Sequence, residues 1–272
     1  MIKKEDKYRF EFGKNWENFI NKVESFQITK AMESFERFGI KHKSGKNFLD
    51  IGSGSGLFSL AAYKLGFKTI TSFDYDLNSV NATIKLHQIF QSNNNCKILQ
   101  GSVLDKSFLN ELGKFDVVYS WGVLHHTGNM WQAIENSSQC VNEEGYLIIS
   151  IYNKQFFISF CWYYIKLFYN IAPKPIKYIL EKFYYIYFFT LGFLADIFRL
   201  KIPIKRYYNE RRGMSFFNDV KDWIGGFPYE YATPEEIELF LVKLGFRLEK
   251  KYTVGFKLGC NEFLFKKEKY GN

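Results

Sequence analysis

The sequence predicts an α/β fold, a mainly parallel sheet wound with helices, extended by a helical segment at its start and a helical insertion after its fifth strand. Three observations predict it. Residues 47–56, Asn-Phe-Leu-Asp-Ile-Gly-Ser-Gly-Ser-Gly, run a short apolar strand into a glycine-rich turn, and Leu57, Phe58, Leu60, Ala61 and Leu65 then line a helix. An acidic cluster, Asp74-Tyr75-Asp76, closes the next apolar segment, Thr69 to Phe73. Strand and helix signals then alternate to residue 152, as a right-handed βαβ series with parallel strands requires.

The elements follow in order. Before the first strand, Arg9 to Phe19 leads into a helical stretch with Ile28, Met32 and Phe35. Asp76 is placed to cap a helix containing Val80 and Ile84, while Trp131, Ile134 and Cys140 mark another. Residues 98–105 supply the third strand with the loop after it, 114–120 the fourth strand and 145–152 the fifth. Two long apolar-aromatic helical stretches, roughly 155–171 and 175–200, are separated by Pro173 and Pro175. Thr233-Pro234-Glu235-Glu236 is a capping box with proline in the first turn, followed by Ile237, Phe240, Leu241 and Leu244 at helical spacing and Gly245 as a stop. Phe246 to Thr253 and Cys260 to Phe265 end the chain as an antiparallel pair. The expected division is an N-terminal covering segment at 1–46, a core at 47–153, a helical insertion or lid at 154–232, and a terminal helix and hairpin at 233–272.

The turn and the acid together imply a nucleoside. In doubly wound folds a carboxylate at the end of the second strand, here Asp74, accepts hydrogen bonds from ribose hydroxyls. A dinucleotide site calls for Gly-x-Gly-x-x-Gly, with pyrophosphate on the helix N-terminus. Here the spacing is Gly-x-Gly-x-Gly, preceded by Asp50. In this form the sequence resembles motif I of the class I S-adenosylmethionine-dependent methyltransferases, in their small-molecule branch. The resemblance is dense from about residue 47 to 153 and implies a Rossmann-like, seven-stranded methyltransferase sheet.

It also implies site residues. Asp50 would help hold the amino acid end of S-adenosylmethionine, with Gly52, Ser53, Gly54 and Gly56 forming the turn, and Asp74 and Tyr75 at the ribose. Ser102 and Val103 lie in the loop that the family folds against adenine, Ser102 standing where many relatives carry an acid. Trp121-Gly122-Val123-Leu124-His125-His126-Thr127 resembles the loop that faces both sulfonium and substrate. The N-terminal segment of similar enzymes folds across the cofactor, which makes Phe12, Asn15 and Trp16 candidates for contact.

Methyl transfer from a sulfonium is an in-line displacement that needs an electron-rich acceptor atom positioned near the methyl group and kept unprotonated. For an alcohol or phenol a base helps, and histidine suits because its ordinary pKa is near neutral. Of the four histidines, His42 falls in a Lys-rich connection and His87 on an expected surface helix, leaving His126, ahead of His125, as the candidate base. Candidate acceptor-binding groups are Tyr152 and Asn153 at the end of the fifth strand, Arg211 and Arg212 as a clamp for phosphate or carboxylate, Trp223 in a glycine- and aromatic-rich loop, and Asn261 entering the last strand.

Composition narrows the partners. The net charge of +9 is concentrated in residues 154–212, which hold eleven basic and three acidic side chains, whereas 47–153 hold six and nine. An acidic core argues against a general nucleic-acid field, and a basic insertion suits an anionic acceptor. The longest uncharged run in 154–200 lies between Lys182 and Asp196, too short for a bilayer-spanning helix. The four cysteines lack paired spacing, and residues 1–30 lack the apolar stretch of a secretory signal, so a reduced cytoplasm is expected. No metal is expected, because the loops after the strands lack a carboxylate and amide cluster for a hard cation.

The leading expectation is O-methylation of an anionic or sugar-like small molecule, such as a precursor of a cell-surface glycan or natural product. An RNA methyltransferase is the alternative that the pI of about 9.1 motivates, although the Asn/Asp-Pro-Pro-Tyr/Phe signature of amino methylation is missing at Trp121-Gly122-Val123-Leu124. A non-catalytic S-adenosylmethionine-binding protein at the membrane surface is a third, kept open by the aromatic-basic insertion. Oligomeric state does not follow from the sequence.

Overall fold

Short apolar runs bounded by turns build a seven-stranded sheet in this computed structural model, which describes residues 8–21, 23–40, 43–92, 95–198 and 216–269. The strands are β1 (Asn47–Ile51), β2 (Thr69–Asp74), β3 (Cys96–Gln100), β4 (Phe115–Trp121), β5 (Val141–Tyr152), β6 (Phe246–Tyr252) and β7 (Cys260–Lys267), in spatial order β3-β2-β1-β4-β5-β7-β6. The first five pair in parallel, while β7 runs antiparallel to both β5 and β6. The expected terminal pair therefore forms, with the last strand entering the sheet inside its predecessor.

Helices α1 (Gly13–Ile20) and α2 (Ser25–Glu36) precede the sheet. Between strands lie α3 (Leu57–Lys64), α4 (Leu77–Ile89), α5 (Lys106–Leu112) and α6 (Met130–Gln139). Asp76 caps α4 by accepting from Asn78 N at 2.9 Å, and its other oxygen accepts from Gly13 N at 2.9 Å, tying α1 to the sheet edge. One apolar cluster, including Leu49, Ile51, Val118 and Ile149, buries one face of the sheet against α6 and the last helix. The opposite face carries Phe48, Ile70 and Ile148 against Phe35 of α2 and Ala62 of α3.

His87 corrects the expectation of a surface position. It is buried between α3 and α4, with Nε2 at 3.0 Å from Ser59 Oγ and Nδ1 at 2.7 Å from Ser92 Oγ. Burial lowers its pKa to about 4, so it packs as a neutral ring.

After β5 come α7 (Phe156–Ile171), α8 (Lys174–Phe198) and α9 (Phe216–Gly225), and the core resumes with α10 (Pro234–Lys243). The two long helices break where Pro173 and Pro175 stand. The capping box at α10 forms in full: Glu236 N donates to Thr233 Oγ1 at 3.1 Å and Thr233 N to Glu236 Oε2 at 2.8 Å.

Candidate active site

A cavity of about 1420 Å³ opens at the carboxyl ends of the parallel strands, where open α/β sheets bind ligands. Its first half is built by the β1–α3 turn. Gly52 and Ser53 donate their backbone N–H groups to Phe73 O at 2.8 and 3.0 Å, folding the turn back over β2. Gly52 has φ +74°, and a Cβ there would stand 2.4 Å from Val123 Cγ1, so only glycine fits. Gly54 lies under the Trp16 indole, whose Nε1 would be 3.1 Å from an added Cβ, so α1 roofs the turn. Gly56 departs from the cofactor-binding expectation. It is absent from the cavity lining, and a Cβ on it would meet Thr83 Cα of α4 at 2.8 Å, so its task is helix packing.

Two acids face this half. Asp74 accepts from Gly54 N and Asp76 N at 2.9 Å each, and burial outweighs these bonds to leave its pKa at about 6. Asp50 is buried at the end of β1, and its Oδ2 has no partner. Burial first, and the Asp74 charge second, push its pKa to about 8. An orphaned buried carboxyl oxygen facing a cavity suits a cationic partner, such as the ammonium of an amino acid. Tyr75, Ser102, Val103, Trp121 and Gly122 also line the cavity. Tyr75 carries the Arg9 guanidinium 4.7 Å above its ring. Ser102 Oγ accepts from Leu104 N at 3.2 Å, which shapes the turn into α5. This half therefore offers a ribose carboxylate, an ammonium partner and an apolar slot, a donor set that fits S-adenosylmethionine.

The second half lies between the loop after β4 and the insertion. His126 Nδ1 donates to Pro228 O at 2.6 Å, leaving the lone pair on Nε2. Burial, then the Lys166 charge, lowers its pKa to about 3, so the imidazole is neutral. His125 is fully buried and accepts from Tyr152 N through Nδ1 at 3.3 Å; burial and the neighbouring His126 and Lys166 hold its pKa well below the usual range. Tyr152 stacks its ring 4.0 Å from His125 and meets Trp223 edge-on at 5.2 Å. Trp223 also lines the cavity, and its buried Nε1 has no partner.

Three expected site residues are otherwise engaged. Asn15 Nδ2 donates to Asp222 Oδ1 at 2.6 Å, locking α1 to α9, and Asn15 does not line the cavity. Asn153 and Asn261 satisfy each other, because β5 and β7 run antiparallel and bring residues 151 and 261 into register. Asn261 Nδ2 donates to Asn153 Oδ1 at 2.9 Å, Asn153 Nδ2 to Gly255 O at 2.7 Å, and Val254 N to Asn261 Oδ1 at 3.0 Å. Both amides are spent on the β6–β7 turn, and neither residue reaches the cavity lining. Arg211 and Arg212 lie outside the described residues, as does His42.

One residue, Lys166, is not legible in the sequence as a site group, and Asp222, expected only as the start of a pocket-wall loop, sits instead on helix α9. Asp222 of α9 lines the cavity, and burial raises its pKa to about 7 against the bond from Asn15. Lys166 of α7 is fully buried, donates to Trp223 O, and is ringed by Trp223 at 4.8 Å, Tyr229 at 4.9 Å and Tyr152 at 5.4 Å. Burial lowers its pKa to about 7. A lone lysine in an apolar stripe and an aspartate in a helix carry no motif; only the folding of α7 and α9 onto the strand ends gives them a role.

Comparison with known proteins agrees with this geometry. Residues 23–200 match the methyltransferase domain family. The ribosomal protein L11 methyltransferase of Staphylococcus saprophyticus subsp. saprophyticus is 33% identical over 121 residues, covering 44% of this chain and 35% of that protein. The chain thus spans about a third of the length of the curated relatives it matches. Magnesium protoporphyrin IX methyltransferase from Synechocystis PCC 6803, solved with bound SAH, shares the fold at a TM-score of 0.51 and 13% identity, over 89% of this chain and 82% of that one. An O-methyltransferase family protein from Burkholderia thailandensis does so at a TM-score of 0.50 and 12% identity, over 90% of this chain and 59% of that one. The chain belongs to the methyltransferase domain family and has the fold of the class I S-adenosylmethionine-dependent methyltransferases.

Proposed function

We propose that this protein transfers the methyl group of S-adenosylmethionine to a hydroxyl oxygen of a small, sugar-like acceptor. The observation that carries this reading is the pairing, in one cavity, of the neutral His126 ring with the Asp222 carboxyl, whose pKa of about 7 suits proton removal at neutral pH. S-adenosylmethionine supplies an electrophilic methyl on a sulfonium. Asp50 and Asp74 hold its ammonium and ribose, and the Gly52–Gly54 turn lets its backbone approach closely. Trp16 covers the turn and limits water access.

On the acceptor side, the reacting hydroxyl donates its hydrogen bond to Asp222, while His126 Nε2 accepts from a neighbouring hydroxyl and orients the acceptor. A ring with a pKa of about 3 holds a full proton poorly, so His126 acts as a positioning group and Asp222 takes the proton. Lys166 sits behind the Tyr152 and Trp223 rings, and its charge helps to keep both histidines neutral. The faces of Tyr152 and Trp223, with the carboxylates of Asp219 and Asp222, suit a polyhydroxylated ring.

A ribosomal protein as acceptor is the second reading, favoured by the 33% identity to a ribosomal protein L11 methyltransferase. A panel of sugar nucleotides, phenols, anionic sugars and ribosomal protein, incubated with methyl-labelled cofactor, separates the readings. With a hydroxyl acceptor, kcat/KM rises with pH through about 7 as Asp222 ionises. Asp222→Asn then lowers turnover by about two to four decades and removes that rise, while His126→Ala lowers turnover and keeps the midpoint. Label entering only ribosomal protein, or an Asp222→Asn enzyme of full activity, sinks the proposal.

A further inference from the structure

We propose that the exposed face of α7 and α8 docks onto an anionic bilayer surface. Helix α7 is two-sided. Ser159, Trp162, Lys166 and Tyr169 face inward, while Phe157, Phe160, Tyr164, Phe168 and Ile171 form an exposed stripe at helical spacing. Helix α8, 25 residues long, presents a second stripe through Ile176, Ile179, Phe183, Ile186, Leu194 and Ile197, all exposed. At the start of α7, Phe156 is 95% exposed, and Gln155 Nε2 donates to Lys257 O at 2.6 Å, bringing up the β6–β7 turn with Phe256, which is fully exposed at 103%. Together these helices and the turn expose far more large apolar side chains than scattered surface residues account for.

Charge selects the occupant. Lys174 and Lys182 are exposed on α8, whereas the two described acids of residues 154–212 turn away: Glu181 accepts from Tyr169 Oη at 2.6 Å and Asp196 is buried. Apolar stripes flanked by lysines and tyrosines, with no exposed acid among the described residues of the segment, match an interface rich in anionic lipid. A second copy fits less well, because the exposed charges described on α7 and α8 are lysines, which would face their like. None of the described helices is long and apolar enough to cross a membrane, so the helices lie along the surface. The same elements border the cavity, through Phe188 of α8 and Leu258 of the β6–β7 turn, so a docked protein brings its cavity to the lipid.

Flotation with vesicles of phosphatidylcholine, alone or with about one quarter phosphatidylglycerol, tests this. The purified protein should float with the anionic vesicles, and raised salt should weaken the association. The double substitution Ile179→Glu and Phe183→Glu should lower the bound fraction about tenfold with cofactor affinity unchanged by calorimetry. Should that variant fail to bind cofactor, Lys174→Glu with Lys182→Glu gives the same reading through charge alone. Absence of binding to anionic vesicles at low salt, equal binding to neutral ones, or variants that float like wild type overturn the proposal. So does a dimer that the variants dissociate in place of any vesicle binding.

Discussion

Asp50 shows how burial raises the proton affinity of an ordinary acid. In the free protein its carboxyl has a pKa of about 8, because desolvation and the Asp74 charge both disfavour the anion. Its raised value contributes stability that is present below the ordinary aspartate range and lost as pH rises through about 8. A cationic ammonium beside it reverses the balance and drives the proton off. Cofactor affinity should therefore strengthen between pH 6 and 8 with release of a proton, measured by calorimetry in two buffers of different ionisation enthalpy. Asp50→Ala should weaken binding by about 1.5–3 kcal/mol and abolish the release. His126 shows the opposite shift, and its position was easier to anticipate than its chemistry. An expected base near neutral pH became a neutral acceptor, because Lys166 and the surrounding rings come from segments far away in sequence.

At the scale of elements, the third glycine of the turn sets how closely two helices approach. Gly56 has φ +79°, and an added methyl would stand 2.8 Å from the Thr83 backbone. Gly56→Ala should destabilise the fold by more than about 1 kcal/mol, lowering the melting temperature, with its direct effect on cofactor contacts small. Helix limits were legible wherever local chemistry punctuates the chain: Asp76 and Thr233 cap the helices they precede, and Pro173 stands between α7 and α8, with Pro175 in the first turn of α8. Less legible were the uses of polar side chains at strand ends. Asn153 and Asn261 looked like ligand groups because they sit at the binding edge, yet their amides close on each other and on the β6–β7 turn.

For the whole molecule, the sheet order puts β2, β1 and β4 side by side, so one cavity receives the acids of two strands and the histidine loop of a third. Helices α1, α7 and α9 then close over it, joined by the Asn15–Asp222 bond and the Lys166 cage. Among the described residues no group of three His, Cys, Asp or Glu side chains is arranged to hold a metal ion. The expectation of metal independence rests on the sequence of the loops after the strands, and it predicts that turnover persists after exhaustive chelation; loss with EDTA that magnesium restores would contradict it.

The sequence alone determined the α/β class, the Gly-x-Gly-x-Gly turn with its flanking acids, the histidine loop and the helical insertion, because each is written in neighbouring residues that share one element or one turn. Tertiary structure decided the rest. Whether Asp222 or His126 has the proton affinity for acid–base work depends on which charges and apolar walls surround it, and those arrive from α7, α9 and the Pro228 carbonyl. A pKa, a spent amide and an exposed apolar face are properties of what lies across a gap in space, and spacing along the chain does not encode them.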